Sequence, residues 1–272
     1  MSLSNLPKRP CITFLTDFGL RDTYVGQMKG VALGIHPDLN LVDLTHDIPP
    51  KQILRAAFIW NDAVDAFPAG TIHVGVVDPG VGTQRRLLAA EIGNQKFVCP
   101  DNGLLSVILG RLPLLRAVVL DNPRWWRTTI SKTFHGRDIL TPVAAAWSLG
   151  HDVLEFGSPC SDPPLSLALA ELARGKTSLS GIVIDIDRFG NLMTNIRAGD
   201  LPQGVSTLRV EIAAAQVAGI SSCYADVDPG EMLALIGSGG RLEVAIRDGS
   251  AAEELQIQPG HRIVVRWKGM SE

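Results

Sequence analysis

The sequence predicts an α/β protein: an N-terminal domain with a largely parallel sheet flanked by helices, then a smaller C-terminal antiparallel β domain, a barrel or a sandwich. Three observations predict it. In the first half, short and nearly continuous apolar runs alternate with segments of helical spacing, as in strands covered on both faces and joined by crossover helices. Beyond about residue 175 the runs become short and alternating, separated by turns such as Asp228-Pro229-Gly230. The chain has 272 residues, 46% of them hydrophobic and 19% charged, enough to bury a core in each part. Residues 175–180 read as a linker, giving domains 1–175 and 176–272.

The elements follow in order. Residues 11–15 form a first strand that runs into Thr16-Asp17-Phe18-Gly19, and residues 24–35 have helical spacing. A second strand, 39–44, ends at Thr45-His46-Asp47; a second helix, 51–67, carries Ile53, Leu54, Ala57, Phe58 and Trp60. The third strand, 71–77, leads into Asp78-Pro79-Gly80-Val81-Gly82, and the fourth, 96–99, into Pro100-Asp101-Asn102-Gly103. A helix follows Asp138 through 142–149 and ends near Gly150; a short apolar helix is expected at 165–172. The second domain has strands at 181–186, 207–212, 232–236, 242–246 and 262–267. In a parallel sheet ligands sit beyond the carboxyl ends of the strands, so the polar residues after each strand converge on one rim.

Composition narrows the function. A net charge of −3, from 25 Lys+Arg and 28 Asp+Glu, argues against disorder and against a strongly basic nucleic-acid binder. No apolar run approaches the roughly 20 residues that span a bilayer. The basic residues within 1–10 are followed by no apolar segment of a signal peptide, so a soluble, cytoplasmic protein is expected. Cys11, Cys99, Cys160 and Cys223 lie far apart without a C-x-x-C pair and read as small hydrophobes in a reducing compartment. Gly175-Lys176-Thr177 resembles the end of a phosphate-binding loop, but residue 170 is Ala; Gly80-Val81-Gly82 lacks the third glycine of a dinucleotide fingerprint, because residue 85 is Arg. There is no H-E-x-x-H and no G-x-S-x-G.

What remains is a set of polar loop residues. Singly, Asp17 and Asp78 also fit turn or helix-capping roles, Arg85 a solvated one and His135 a structural one; His46 and Asp101 read as structural. Jointly, Asp17, Asp78 and Asp101 all follow strands, and carboxylates gathered on one rim repel unless a cation or a hydroxyl-rich ligand sits among them. Arg85 beside them makes a poor metal-ligand set. In Asp187-Arg188-Phe189-Gly190-Asn191, Phe189 offers an aromatic face and Asn191 a donor–acceptor pair suited to a purine edge, unless the segment is only a β-turn.

Thr16-Asp17-Phe18-Gly19, Val77-Asp78-Pro79-Gly80-Val81-Gly82-Thr83, Pro100-Asp101-Asn102-Gly103, Phe134-His135-Gly136-Arg137-Asp138, Asp187-Arg188-Phe189-Gly190-Asn191 and Gly237-Ser238-Gly239-Gly240 occur in this order. Together they resemble the S-adenosyl-L-methionine hydroxide adenosyltransferases, hydrolases related to the bacterial fluorinating and chlorinating enzymes, over roughly residues 12–267. The resemblance implies an α/β domain, a C-terminal β-barrel and a homotrimer with the substrate between neighbouring subunits. It implies S-adenosylmethionine and water as substrates, adenosine and L-methionine as products, and no metal or other cofactor. The catalytic set falls on Asp78, Arg85 and His135, the ribose-holding aspartate on Asp17, and the purine-facing residues on Asn191 and Phe189. Asp22, Asp187 and Ser238 match positions that hold the methionine end. Halogenating relatives have an uncharged residue where this chain has Asp78 and lack the histidine at 135, so hydrolysis is expected. Gly239 replaces an arginine that holds the methionine carboxylate in the fluorinating enzyme. The rivals are an adenosylmethionine-binding module without turnover, a metal-dependent hydrolase using the rim carboxylates, and a halogenase.

Overall fold

The computed structural model describes residues 9–202 and 207–268. The chain divides into two compact units, Met1–Leu167 and Ala168–Glu272. The first begins with β1 (Cys11–Thr16), α1 (Tyr24–Ile35), β2 (Asn40–Thr45), α2 (Ile53–Val64) and β3 (Ile72–Val76), and continues through β4 (Leu87–Ile92), β5 (Gln95–Pro100), α3 (Ser106–Leu109) and β6 (Leu114–Val119). It closes with α4 (Thr141–Ser148) and the two-residue β7 (Ser158–Pro159).

The sheet has the order β2-β1-β3-β5-β4-β6-β7. The β2-β1-β3-β5 part is parallel, as the alternation of strands and helices predicts, and the β4–β5 hairpin turns the remainder antiparallel. The near-continuous apolar runs serve both faces. On β1 and β3, Ile12, Phe14, Ile72, Val74 and Val76 pack with α1 and α4 residues such as Met28 and Val143. Leu15 and Val77 face the other way, toward Ala56 and Trp60 of α2. Trp60 is fully buried, and its ring fills the place of a side chain at Gly75, where a Cβ would lie 2.7 Å from Cη2.

A wide π-type turn, Gly136–Leu140, runs directly into α4. Pro142 sits in the first turn of α4, where its fixed φ suits the helix.

The second unit contains β8 (Ala173–Arg174), β9 (Ser178–Ile186), β10 (Leu192–Arg197), β11 (Leu208–Ile212), β12 (Ala215–Ala218), β13 (Met232–Ile236), β14 (Arg241–Ile246), α5 (Ala251–Leu255) and β15 (Arg262–Trp267). Its antiparallel sheet, β12-β11-β15-β9-β10-β14-β13, is nearly closed into a barrel, with a Ser221–Leu235 bridge linking the segment after β12 to β13. Alternate residues such as Leu192, Ile196, Leu242 and Val244 fill the interior.

Two local expectations fail. Residues 165–172 form no helix, because other elements take their backbone groups: Leu165 N–H donates to Asp101 Oδ1 at 2.7 Å, Leu167 N–H to Ser106 Oγ at 2.8 Å, and Ala170 C=O accepts from Asn195 Nδ2 at 2.9 Å. The preceding Pro163-Pro164 also disfavours a helical start upstream. Residues 175–180 are not a linker: Gly175 N–H donates to Ser178 C=O at 2.8 Å, closing a turn between β8 and β9. No helix among the described residues is long and apolar enough to cross a membrane.

Filling the Trp60 contact from the other side tests this packing. Gly75→Ala is expected to lower stability by about 1–3 kcal/mol through overpacking, read as a lower urea midpoint with an unchanged slope; an unchanged midpoint contradicts the packing.

Candidate active site

Thr16 and Val76 are register partners, so the loops leaving β1 and β3 start side by side. The chain places β2 on one side of β1 and β3 on the other, which makes these strand ends the point where the order reverses. Open α/β sheets bind ligands at such a point. Asp17 and Asp78 stand there. The Asp17 pKa is raised, chiefly by burial and in part by the Asp78 charge, against the N–H of Lys51, which donates to Asp17 Oδ2 at 3.3 Å. Lys51 adopts a left-handed backbone, with φ of 68°.

Asp78 and Arg85 form a forked ion pair. Arg85 Nε donates to Asp78 Oδ1 at 2.6 Å and Nη2 donates to Oδ2, with only 5% of the Asp78 side chain and 10% of the Arg85 side chain exposed. Nη2 also lies 3.3 Å from His135 Nδ1. A guanidinium can only donate, so Nδ1 is the acceptor and the neutral ring carries its proton on Nε2. The His135 pKa is lowered, first by burial and then by Arg85, with Asp78 and Asp138 pulling the other way.

Small residues let these segments meet. Gly82 has φ of +83°, and a Cβ there would lie 2.7 Å from the Lys132 carbonyl oxygen. At Gly136 a Cβ would lie 3.3 Å from Val76 Cγ1, so the turn carrying His135 packs against the end of β3. Asn102 Nδ2 donates to Val77 C=O at 2.8 Å and steadies the residue before Asp78.

The sequence reading missed the role of Asp138. Its carboxylate is fully buried and accepts from Arg127 Nη1 at 3.0 Å, Arg137 Nε at 2.7 Å and Nη2 at 2.9 Å, and the Ser131 N–H at 2.8 Å. Burial raises its pKa, but these donors outweigh it and the net shift is downward. The arginines at 127 and 137, close in sequence to a single aspartate, were the available signal. Asp101, in contrast, pairs with Arg86 at 2.6 Å and takes the Leu165 N–H. Asp22 is exposed between β1 and α1 and does not join the Asp78–Arg85–His135 hydrogen bonds.

In the second unit, Asp187 organises the loop after β9. Oδ1 accepts from the Phe189 and Asn191 N–H groups at 2.8 and 2.9 Å, and Oδ2 from Asn191 Nδ2 at 2.9 Å. Phe189 is 69% exposed. Gly190 has φ of +84°, and a Cβ there would lie 2.0 Å from Ser250 Oγ. Asp187, Phe189, Asn191, Tyr224, Arg247 and Gly249 help line a cleft of about 680 Å³. Tyr224, one of only two tyrosines, donates from its hydroxyl to Glu243 at 3.3 Å; as an isolated aromatic in a one-turn 3-10 segment it carried no periodic signal. Ser238 is exposed in the turn between β13 and β14, closed by Gly240 N–H to Gly237 C=O at 2.9 Å, and is not among the residues lining that cleft. Among the described residues no group of three or more His, Cys, Asp or Glu side chains is arranged to hold a metal ion.

A reversal-point site on an α/β sheet, joined in the chain to a β-barrel with an aromatic cleft, matches a known class. Residues 12–157 match the SAM hydroxide adenosyltransferase N-terminal domain and residues 181–264 the SAM hydroxide adenosyltransferase C-terminal domain. The chain belongs to this family. It is similar to a Salinispora tropica protein named (R)-S-adenosyl-L-methionine hydrolase, with 39% identity over 94% of this chain and 97% of that protein. A Nocardia brasiliensis protein named fluorinase is 27% identical over 95% of this chain and 97% of that one. The crystal structure of an uncharacterized conserved protein from Thermotoga maritima aligns with a TM-score of 0.89 at 32% identity, over 94% of this chain and 99% of that one.

The Asp138 network has a pH signature. Because its folded pKa is depressed, its contribution to stability is complete above the unfolded value of about 3.9 and is lost as pH falls through the lower folded value. Asp138→Asn is expected to lower stability at neutral pH by about 3 kcal/mol and to flatten the acid limb of stability against pH. Wild-type and variant acid limbs of equal steepness contradict this role.

Proposed function

We propose that the protein hydrolyses S-adenosyl-L-methionine to adenosine and L-methionine by in-line attack of water on the ribose 5′ carbon. The observation that carries this reading, in a chain of this family, is the contiguous Asp78–Arg85–His135 hydrogen-bonded set beside Asp17. A sulfonium leaves without protonation, so the protein has only to hold and deprotonate a water; positioning alone contributes about 7–11 kcal/mol in favourable cases.

The tautomer divides the labour. Asp78 keeps lone pairs beyond those facing Arg85 and accepts the water proton. His135, with its proton on Nε2, donates to the water oxygen and aims it. Arg85 fixes both partners and stabilises hydroxide character as it develops. The C5′–O bond forms as the C5′–S bond breaks; the electron pair goes to sulfur, giving the thioether of methionine, and the proton passes through Asp78 to solvent. The Asp78 carboxylate disfavours a halide in the same place.

Asp17 grips the ribose hydroxyls. Phe189 stacks on the purine, with Tyr224 as a further wall, and Asn191, its Nδ2 engaged by Asp187, offers Oδ1 to the exocyclic amine. Asp187 acts mainly as the organiser of that loop. Asp22 and Ser238 serve the methionine end, and backbone amides of the Gly237–Gly240 turn replace the arginine absent at 239. The working unit is a cytoplasmic homotrimer in which the first unit of one subunit and the second unit of its neighbour share each substrate. No metal or other cofactor takes part.

Chromatography of adenosine released from S-adenosylmethionine tests the reading. Asp78→Ala and His135→Ala are each expected to lower turnover by about 10²–10⁴-fold, and a chelator to leave it unchanged; undiminished release by either variant contradicts the assignment. Because the His135 pKa is lowered, the ring stays neutral until the pH falls below about 6.5. The His135 contribution to the acid limb of kcat is therefore expected below that value and lost in His135→Gln.

A further inference from the structure

Behind Asp17 lies a chain of polar contacts, buried at Thr16 and His46, that the proposed chemistry does not use. Thr16 Oγ1 accepts the Phe18 N–H at 3.2 Å and lies 2.9 Å from His46 Nδ1. His46 Nε2 lies 3.0 Å from Asp43 Oδ1, and Asp43 Oδ2 takes Lys29 Nζ at 2.5 Å. The backbone of His46 joins in, its C=O accepting the Gly19 N–H at 2.8 Å. Five residues later the same loop supplies the Lys51 N–H to Asp17 itself.

His46 Nε2 lies close to Asp43 Oδ1 but is not aligned to donate to it, so the ordered side-chain bond of His46 is the one between Nδ1 and the Thr16 hydroxyl. Thr16 Oγ1 thus bonds His46 Nδ1 while taking the Phe18 N–H on a lone pair. One hydroxyl therefore ties the imidazole to the backbone that follows Asp17. The His46 side chain is 1% exposed, which leaves no water to stand in for a lost contact.

We infer that His46 is a positioning residue for Asp17: through Thr16, Phe18 and Gly19 it sets the carboxylate where two vicinal sugar hydroxyls bind it together, while touching neither substrate nor water. The sequence reading took His46 as structural; the inference gives it a specific task in nucleoside affinity. It rests on the reading of Asp17 as the ribose-gripping group.

The test is a double-mutant cycle read by adenosine titration calorimetry and by kcat and KM for S-adenosylmethionine. His46→Leu is expected to raise the adenosine Kd and the KM by about tenfold, equal to about 1.4 kcal/mol, with kcat within about twofold. His46→Asn, whose side-chain amide can still bond the Thr16 hydroxyl, is expected to recover most of the loss. In an Asp17→Ala background, His46→Leu is expected to add nothing further, because the two changes remove one interaction. Thr16→Val, which removes the linking hydroxyl and keeps the branched shape, is expected to give the same pattern and carries the test if His46→Leu does not fold. A lower kcat at unchanged Kd, or an equal His46→Leu penalty with and without Asp17, overturns the inference while leaving Asp17 in place. An unchanged Kd in Asp17→Ala alone overturns the reading of Asp17, and this inference with it.

Discussion

The guanidinium of Arg85 is where three segments of the first unit meet. It takes both oxygens of Asp78 on one side and the imidazole of His135 on the other. Burying such an ion pair is no efficient route to stability, since desolvation consumes much of the Coulomb attraction and a packed apolar pair serves as well. What the pair provides is orientation. A carboxylate with a fixed fork partner and an imidazole with a fixed tautomer have defined donor and acceptor directions before any ligand arrives, which is the form of preorganisation that lowers a barrier without reorganisation at the moment of reaction.

The scaffold follows from that requirement. The parallel strands deliver Asp17 and Asp78 to neighbouring strand ends, and the wide turn before α4 delivers His135 from far along the chain. Glycines at 82 and 136 allow backbone to approach where a side chain would block it. A second buried carboxylate, Asp138, then ties down the loop that carries His135 through two arginines and a backbone amide. The second unit repeats the device on a smaller scale, with Asp187 accepting three hydrogen bonds from its own loop and so fixing Phe189 and Asn191.

Much of this was legible in the residues. Strand ends at Thr16, Val76 and Pro100 fall within a residue or two of where the apolar runs stop, and α1 matches its predicted span, because a sheet covered on both faces leaves a strong local pattern. Residues 165–172 were misread as helix because the hydrogen bonds that hold them extended come from Asp101, Ser106 and Asn195, far away in sequence. The Ala173–Arg174 and Ser178–Ile186 pairing hid within a stretch whose glycine and serine suggested a linker. The motif strings located Asp78, Arg85 and His135 but not their connectivity. That Arg85 bridges the other two, and thereby sets the His135 tautomer, is a property of geometry. Asp138 and Tyr224 went unassigned for the same reason: their partners are known only once the chain has folded.

The chemistry proposed is a substitution at carbon in which the attacking atom comes from solvent and a neutral thioether leaves. The arrangement of Asp78, Arg85 and His135 has meaning only if a water occupies the position they face. Turnover in ¹⁸O-water with mass spectrometry of the products tests this most directly. The account predicts one solvent oxygen in the 5′ hydroxyl of adenosine and none in methionine; adenosine formed without the label, or label found in methionine, contradicts it.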